Sequence, residues 1–273
     1  MKLIFFDIDG TLIDRGKRMA ESTPEAIRRA RENGHICIVN TGRTASLVLD
    51  WLPLLAPFDG YLCGCGTQLF FHGKELLHKT FTVEEAEDII KGLEEHRIDA
   101  ILEGTGDNYH NPLDRMHTGE FRKYIMDHYP ERRWGNYDQA PGGFDKFFCY
   151  ADDPENIRRF IAQREGLLDL IDREHGYFEV VPKGYSKATG MDRLIEYINT
   201  CGDYQEKVSL ADTVCIGDSN NDLPMLEHAG IAIAMGESSQ QVLQMADFVT
   251  AKVMEDGIEK ALDWLGVLKF SDK

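Results

Sequence analysis

The amino-acid sequence predicts an α/β fold in which a mostly parallel sheet, covered on both faces, is interrupted by an inserted α+β domain. Three observations carry this reading. Short runs that are apolar at every position, "LIFF", "ICIV" and "TVCI", are separated by helical segments, and strands buried on both faces need apolar residues on both faces. Polar residues follow these runs immediately, as they do where strands of an open α/β sheet end at a ligand crevice. Between residues 82 and 184 the texture changes to strands mixed with a Gly/Pro/Asn-rich passage, which fits a separate layer of structure.

Taken in order, "LIFF" is the first strand, and a helix follows from about Thr23, with Pro24 in its first turn and Gly34 past its end. "ICIV" completes a βαβ unit, "GYLC" adds a strand, and "TQLFFHGKELLHK" reads as a hairpin turning at His72-Gly73. Thr82 to Glu85 make a capping box for a helix reaching about His96. The strands "DAILEG", "KFFCYAD" and "YFEVVPK", a helix at "DPENIRRFIAQRE" and a loop at "WGNYDQAPGGFD" fill the insert. "TVCIGD", "GIAIAM" and "DFVTA" then resume the parallel pattern. The expected division is a core of residues 1–81 and 185–273 and an inserted domain of 82–184.

A chain of 273 residues with 42% apolar content can bury a large core. Its 30 basic and 47 acidic residues leave a net charge of −17, which argues against nucleic acid or an anionic membrane as a partner. No apolar run approaches the roughly 18 residues of a membrane helix, and "MKLIFFDIDG" meets acidic residues before a signal-peptide core could develop. A cytoplasmic protein is expected. The six cysteines lie mostly in apolar segments and read as buried thiols; Cys63-Gly64-Cys65 lacks a second Cys/His pair at zinc spacing.

Four polar groups at strand ends carry the chemistry: Asp7-Ile8-Asp9-Gly10-Thr11, Asn40-Thr41-Gly42-Arg43, Lys187, and Gly217-Asp218 with Asn221-Asp222. Two residues apart in an extended segment, Asp7 and Asp9 are expected to face one crevice about 7 Å apart. Like charges there call for a cation. Asp218 and Asp222 add hard oxygen ligands, and carboxylates without His or Cys suit Mg²⁺. Thr41, Gly42 and Lys187 supply a hydroxyl, an approachable backbone N–H and a positive charge for a phosphate. Phosphate-monoester hydrolysis is so slow without a catalyst that it calls for a nucleophile, a metal, a lysine and an acid together. Singly, each of these aspartates reads as a strand-end or cap residue, and Arg43 reads at least as well as a surface ion pair as a phosphate contact. As a set at four strand ends they read as one site.

The sequence resembles the haloacid dehalogenase superfamily, and within it the Cof-type phosphatases with a class IIB cap. The D-x-D-G-T-L of Asp7 to Leu12, Thr41 with Gly42-Arg43, Lys187, and the G-D-S-x-N-D of Gly217 to Asp222 carry the resemblance, in the family's order. It implies a Rossmann-like core with the insert as an α/β cap. It also implies that Asp7 is the nucleophile and a Mg²⁺ ligand, and that Asp9 is the acid/base whose backbone carbonyl ligates the metal. By the same resemblance Ile8 N–H, Thr41, Gly42, Lys187 and Asn221 hold the phosphoryl group, Asp218 ligates Mg²⁺ and Asp222 orients metal-bound water. The expected reaction is Mg²⁺-dependent hydrolysis of small phosphorylated metabolites, sugar phosphates first, with the cap closing over the substrate. A phosphomutase on the same core and a receiver-like phospho-acceptor module are the alternatives. Two departures stand out: Cys63-Gly64-Cys65 replaces the Asn-Gly-Ala of many relatives, and Ala188 follows the motif lysine where a glycine is common, with Gly190 later.

Overall fold

The computed structural model describes residues 1–104, 106, 108–128, 134–137 and 143–269. The chain divides into two compact units, the first made of residues 1–43, 47–77 and the chain from 186 onward, the second of residues 44–46 and 78–185.

The first unit is built on β1 (Leu3–Phe6), β2 (Ile36–Asn40), β3 (Gly60–Cys63), β4 (Gln68–Phe71), β5 (Lys74–His78), β12 (Thr213–Gly217), β13 (Ile231–Ala234) and β14 (Phe248–Val249). Among the described residues they form one sheet in the order β14-β13-β12-β1-β2-β3-β4-β5. Pairing is parallel from β14 through to β3 and antiparallel between β3 and β4. Every residue of β1 is fully buried. Phe5 sits opposite Ile38 on one side and Cys215 on the other, which is why "LIFF" carries no polar position. The chain passes from β1 to β2 on one side while β12 lies on the other, so the strand order reverses at β1. A crevice forms beyond the carboxyl ends of strands at such a reversal.

The helices of this unit are α1 (Ser22–Glu32), α2 (Leu52–Leu55), α6 (Lys187–Thr200), α7 (Leu223–His228), α8 (Gln240–Met245) and α9 (Gly257–Trp264). In α1 the buried positions Thr23, Ala26, Ile27 and Ala30 recur at helical spacing, and the helix ends before Gly34, as the sequence predicts. In α6, Met191, Leu194 and Ile198 pack on Leu3, Phe5, Ile38 and Leu62 in one apolar cluster. The hairpin turn falls at His72-Gly73, between β4 and β5.

The second unit contains β6 (Asp99–Glu103), β7 (Asn108–His110), β8 (Gly135–Asn136), β9 (Lys146–Tyr150), β10 (Leu168–Asp172) and β11 (Tyr177–Pro182), with α3 (Val83–Glu95), α4 (Gly119–His128) and α5 (Pro154–Ala162). Its sheet runs β10-β11-β9-β6-β7-β8. Thr82 and Glu85 form the expected capping box. Ile89, Leu93, Ile157 and Phe160 cluster with Leu102 and Phe147. The elements β7, α4 and β10 are not among those the sequence predicts. Part of the passage expected as a loop forms β8, and its residues 138–142 lie outside those described. Asp99, fully buried, accepts hydrogen bonds from Asn111 Nδ2, the backbone N–H groups of His117 and Thr118, and Thr118 Oγ1. It thereby ties the 111–118 segment, which leads into α4, to the start of β6.

Candidate active site

The backbone turns sharply after β1. The Asp7 N–H donates to Ile216 O of β12 at 3.0 Å, and the N–H groups of Leu12 and Ile13 both donate to Ile8 O, at 2.9 and 3.0 Å. Gly10 has φ +85°, and a Cβ there would stand 2.2 Å from Asp218 Oδ2, so only glycine lets this turn pass the neighbouring carboxylate. The turn gives Asp7 and Asp9 different surroundings, although the Asp9 charge is still felt at Asp7. Alternation of side chains holds only while the chain stays extended, and it stops being extended at Ile8. Asp7 is 4% exposed and joins the buried carboxylates. The Asp9 side chain is 56% exposed and pairs with Arg43, its two oxygens accepting from Nη2 at 2.5 Å and Nε at 2.7 Å. Of the two readings open for Arg43, the ion pair is the observed one.

Lys187 and three aspartates meet at the ends of β1 and β12. Lys187 Nζ donates to Asp7 Oδ1 at 2.6 Å and to Asp222 Oδ1 at 2.5 Å. The other Asp222 oxygen accepts from the N–H groups of Asp218 and Ser219, both at 3.0 Å. Thr11 Oγ1 donates to Asp218 Oδ1 at 3.3 Å. One carboxylate oxygen from each of Asp7, Asp218 and Asp222 lies within 4.8 Å of the others. Lys187 reaches this cluster because it is the first residue of α6, behind Ser186, whose hydroxyl accepts from the Thr189 N–H in a capping box. Asn40 Nδ2 donates to the Lys187 carbonyl at 3.1 Å, tying the same residue to the end of β2.

Burial, with repulsion from Asp222, pushes the Asp7 pKa up to about 7 although Lys187 opposes the rise. Burial and repulsion from Asp222 and Asp7 push Asp218 up to about 8. Burial pulls the lysine down, but the attraction of Asp222 and Asp7 outweighs it and leaves Lys187 above its ordinary value. Three carboxylates facing one ammonium leave two negative charges uncompensated when all are ionised, and the donors are all hard oxygens. A divalent cation that takes few carboxylates and keeps its waters fits this set. Asp222 is occupied with Lys187 and two backbone N–H groups, so Asp7 and Asp218 are the side chains placed to hold such an ion.

The segment after β2 is stapled to the turn after β3. The Thr41 N–H donates to Leu62 O at 2.9 Å, the Cys65 N–H to Thr41 O at 3.0 Å and the Gly64 N–H to Arg43 O at 2.8 Å. The Arg43 N–H also donates to Thr41 Oγ1 at 3.2 Å. Cys65 adopts a left-handed φ of 55°, and a Cβ at the next residue, Gly66, would lie 2.3 Å from Ser186 O. The turn thus seats directly against the N-terminus of α6, and Gly190 faces Gly66 Cα at the same contact. Cys63 and Cys65 are buried and in no disulfide. Ile8, Thr41 and Gly42 are buried, and Asn221 is buried with its Oδ1 accepting from Ser219 Oγ.

Asp7, Lys187, Asp218 and Asp222 are therefore brought into contact, and Thr41-Gly42 is held at the neighbouring strand end. The Asp9 carboxylate is not part of the close cluster of Asp7, Asp218 and Asp222, though its charge acts on Asp7. The sequence places Thr11 and Asn40 in strand-end motifs without a part of their own and does not single out Gly66, yet each positions another residue. Their signal was adjacency to a motif; their partners, Asp218, Lys187 and Ser186, are distant in sequence.

Comparison with known proteins bears on this geometry. Residues 4–262 match the family model of haloacid dehalogenase-like hydrolases. YkrA of Bacillus subtilis is 28% identical, over 98% of this chain and 99% of its own. The pyridoxal phosphate phosphatase YbhA of Escherichia coli is 28% identical, over 94% of this chain and 96% of its own. Among solved structures, the HAD subclass IIB sugar phosphatase BT4131 superposes with a TM-score of 0.80 at 25% identity, covering 98% of this chain and all of the other. Among the described residues no helix is long and apolar enough to cross a membrane.

Proposed function

Because the chain belongs to the haloacid dehalogenase-like hydrolase family and is a phosphatase, we propose that it hydrolyses small phosphorylated metabolites in the cytoplasm, with Mg²⁺, through an aspartyl-phosphate on Asp7. The supporting observation is the contact of a buried Asp7 with Lys187, with Asp218 and Asp222 alongside, at the carboxyl end of the parallel sheet.

Asp7 attacks phosphorus. Ile8 N–H, Thr41, Gly42 and Asn221 hold the phosphoryl oxygens, and Lys187 offsets their charge. Asp9 gives a proton to the departing alcohol and later takes one from the hydrolytic water. Asp7 and Asp218, with the Asp9 carbonyl, would hold Mg²⁺, which when bound would supply charge neutralisation for the transfer. Asp222 keeps Lys187 and the 218–219 backbone in register and would orient water at the metal when it is bound. The 82–184 segment acts as a C2B-type cap that selects the substrate.

Sugar phosphates are the first substrate class to test. Relatives of similar closeness differ in what they are named for, pyridoxal phosphate in one case and sugar phosphate in another, and substrate choice resides in contacts outside the shared core. With p-nitrophenyl phosphate and Mg²⁺, wild type should release phosphate and Asp7→Asn should lose at least about 10³-fold in kcat. Equal rates in the two proteins would refute the reading. A panel of phosphorylated sugars, nucleotides and cofactors, scored by kcat/KM, then ranks the substrates.

A further inference from the structure

Arg43 has no part in the reaction as proposed, yet it is among the more tightly held side chains near the site. Its guanidinium meets both oxygens of Asp9 through Nε and Nη2, at 2.7 and 2.5 Å. A planar fork of this kind fixes the carboxylate in distance and in plane, which a lysine cannot do. The Arg43 backbone is clamped on both sides, its N–H donating to Thr41 Oγ1 and its carbonyl accepting from the Gly64 N–H. Its Cζ lies 5.9 Å from the centroid of the Trp51 ring, and that indole is itself held by an Nε1 bond to Leu47 O at 2.8 Å. An ion pair whose carboxylate is 56% exposed adds little to folding. The consequence of the fork is for where the Asp9 carboxylate can be: it ties that carboxylate to the same backbone segment that carries Thr41 and Gly42.

We propose that Arg43 is a positioning residue for Asp9, holding its carboxylate as the base that takes a proton from the water hydrolysing the aspartyl-phosphate. This rests on the reading of Asp7 as nucleophile and Asp9 as acid/base. In that step the water oxygen bonds to phosphorus, the bond from phosphorus to the Asp7 oxygen breaks, and the water proton passes to Asp9. Asp7 returns as a carboxylate and inorganic phosphate leaves. Arg43 neither gains nor loses a proton; it keeps the accepting oxygen from swinging away, and misplacement by about 1 Å is enough to cost about 10²-fold.

Rapid mixing with p-nitrophenyl phosphate and Mg²⁺ tests the proposal, because nitrophenolate departs without much help from an acid and leaves hydrolysis of the phospho-enzyme exposed. Arg43→Gln should give a burst of about one nitrophenolate per active site, then a steady state slowed about 10- to 100-fold with no rise in KM. Arg43→Lys, which keeps the charge and loses the fork, should fall between wild type and Arg43→Gln. Asp9→Asn should show the same burst, and the double variant should be within about twofold of Asp9→Asn alone, as expected of residues acting as a unit. A raised KM with kcat unchanged, the absence of a burst, or losses that multiply in the double variant would each overturn the proposal. A loss of folded protein alone would lower the burst amplitude and leave the rate per site unchanged, which also counts against it. Wild type that releases no nitrophenolate removes the parent reading and this one with it; wild-type turnover with an Arg43→Gln kcat within about twofold removes only this one.

Discussion

Replacing Lys187 with methionine isolates the electrostatics of the site from its chemistry. The side chain is 1% exposed and bridges Asp7 and Asp222, and methionine fills a similar volume without the charge. Removing one partner of a buried pair leaves the other unpaired, at about 3–5 kcal/mol. The cost should depend on pH. Asp7 and Asp218 already titrate near 7 and 8 with the lysine present, and without it burial and mutual repulsion raise them further. At pH 8.5 the metal-free variant must either hold uncompensated carboxylates or take up protons from a dilute supply, so the full ~3–5 kcal/mol loss is expected there. At pH 5.5 the protons are bound and the loss should shrink to about half or less. Urea unfolding of wild type and Lys187→Met in EDTA at the two pH values reads this directly. A loss independent of pH, or one below about 1 kcal/mol at pH 8.5, would refute the view of Lys187 as the counter-charge of this cluster.

Two further outcomes follow from the same geometry. The folded pKa of Asp7 and of Asp218 is raised above the unfolded value near 3.8, so the stability these groups contribute is complete below that value, falls steadily as pH rises above it and is fully lost once pH has passed about 7 to 8. Metal-free wild type should therefore lose on the order of 4 kcal/mol through Asp7 across that window, while Mg²⁺ should raise the melting temperature more at pH 8 than at pH 6 and release protons on binding, measurable by calorimetry in two buffers; a Mg²⁺ effect that declines with pH would contradict this. Gly66→Ala should cost more than about 2 kcal/mol and lower kcat, because its Cβ would meet the Ser186 carbonyl and displace the start of α6; Gly34→Ala, also at positive φ but with nothing within 4 Å, should cost about 1–2 kcal/mol and leave kcat unchanged, and equal losses at the two sites would remove the packing argument.

Much of the fold was legible because its signals are local. "LIFF" reads as a doubly buried strand from composition alone, and β1 is buried at each of its positions. The Thr82 box is a four-residue pattern and forms as such. The helix α4 does carry a start signal, Thr118, whose Oγ1 accepts from the Phe121 N–H at 3.4 Å, but a glycine at its first position weakens the helical reading. The second-unit edge strand β10, "LDLID", alternates only over its first three residues, with Leu170-Ile171 breaking the pattern, and is short and followed by charge. In the site, Asp7, Thr41, Lys187 and Asp218 were legible because polar residues ending buried strands or opening a helix point to one crevice. What local sequence did not carry is the difference between the two aspartates, Asp7 buried against Lys187 and Asp9 paired with Arg43, because both partners are distant in sequence.

Local sequence set which residues stand at the ends of β1, β2 and β12 and at the head of α6, since apolar runs, caps and glycines act over a few positions. Folding alone decided which of them touch. Lys187 lies 180 positions from Asp7 and 35 from Asp222, yet its ammonium lies between them. Arg43 lies 34 positions from Asp9 and holds both its oxygens. Proton affinities of this kind depend on burial and on distances of a few ångströms, and those exist only once the strands have paired and α6 has packed against the turn after β3.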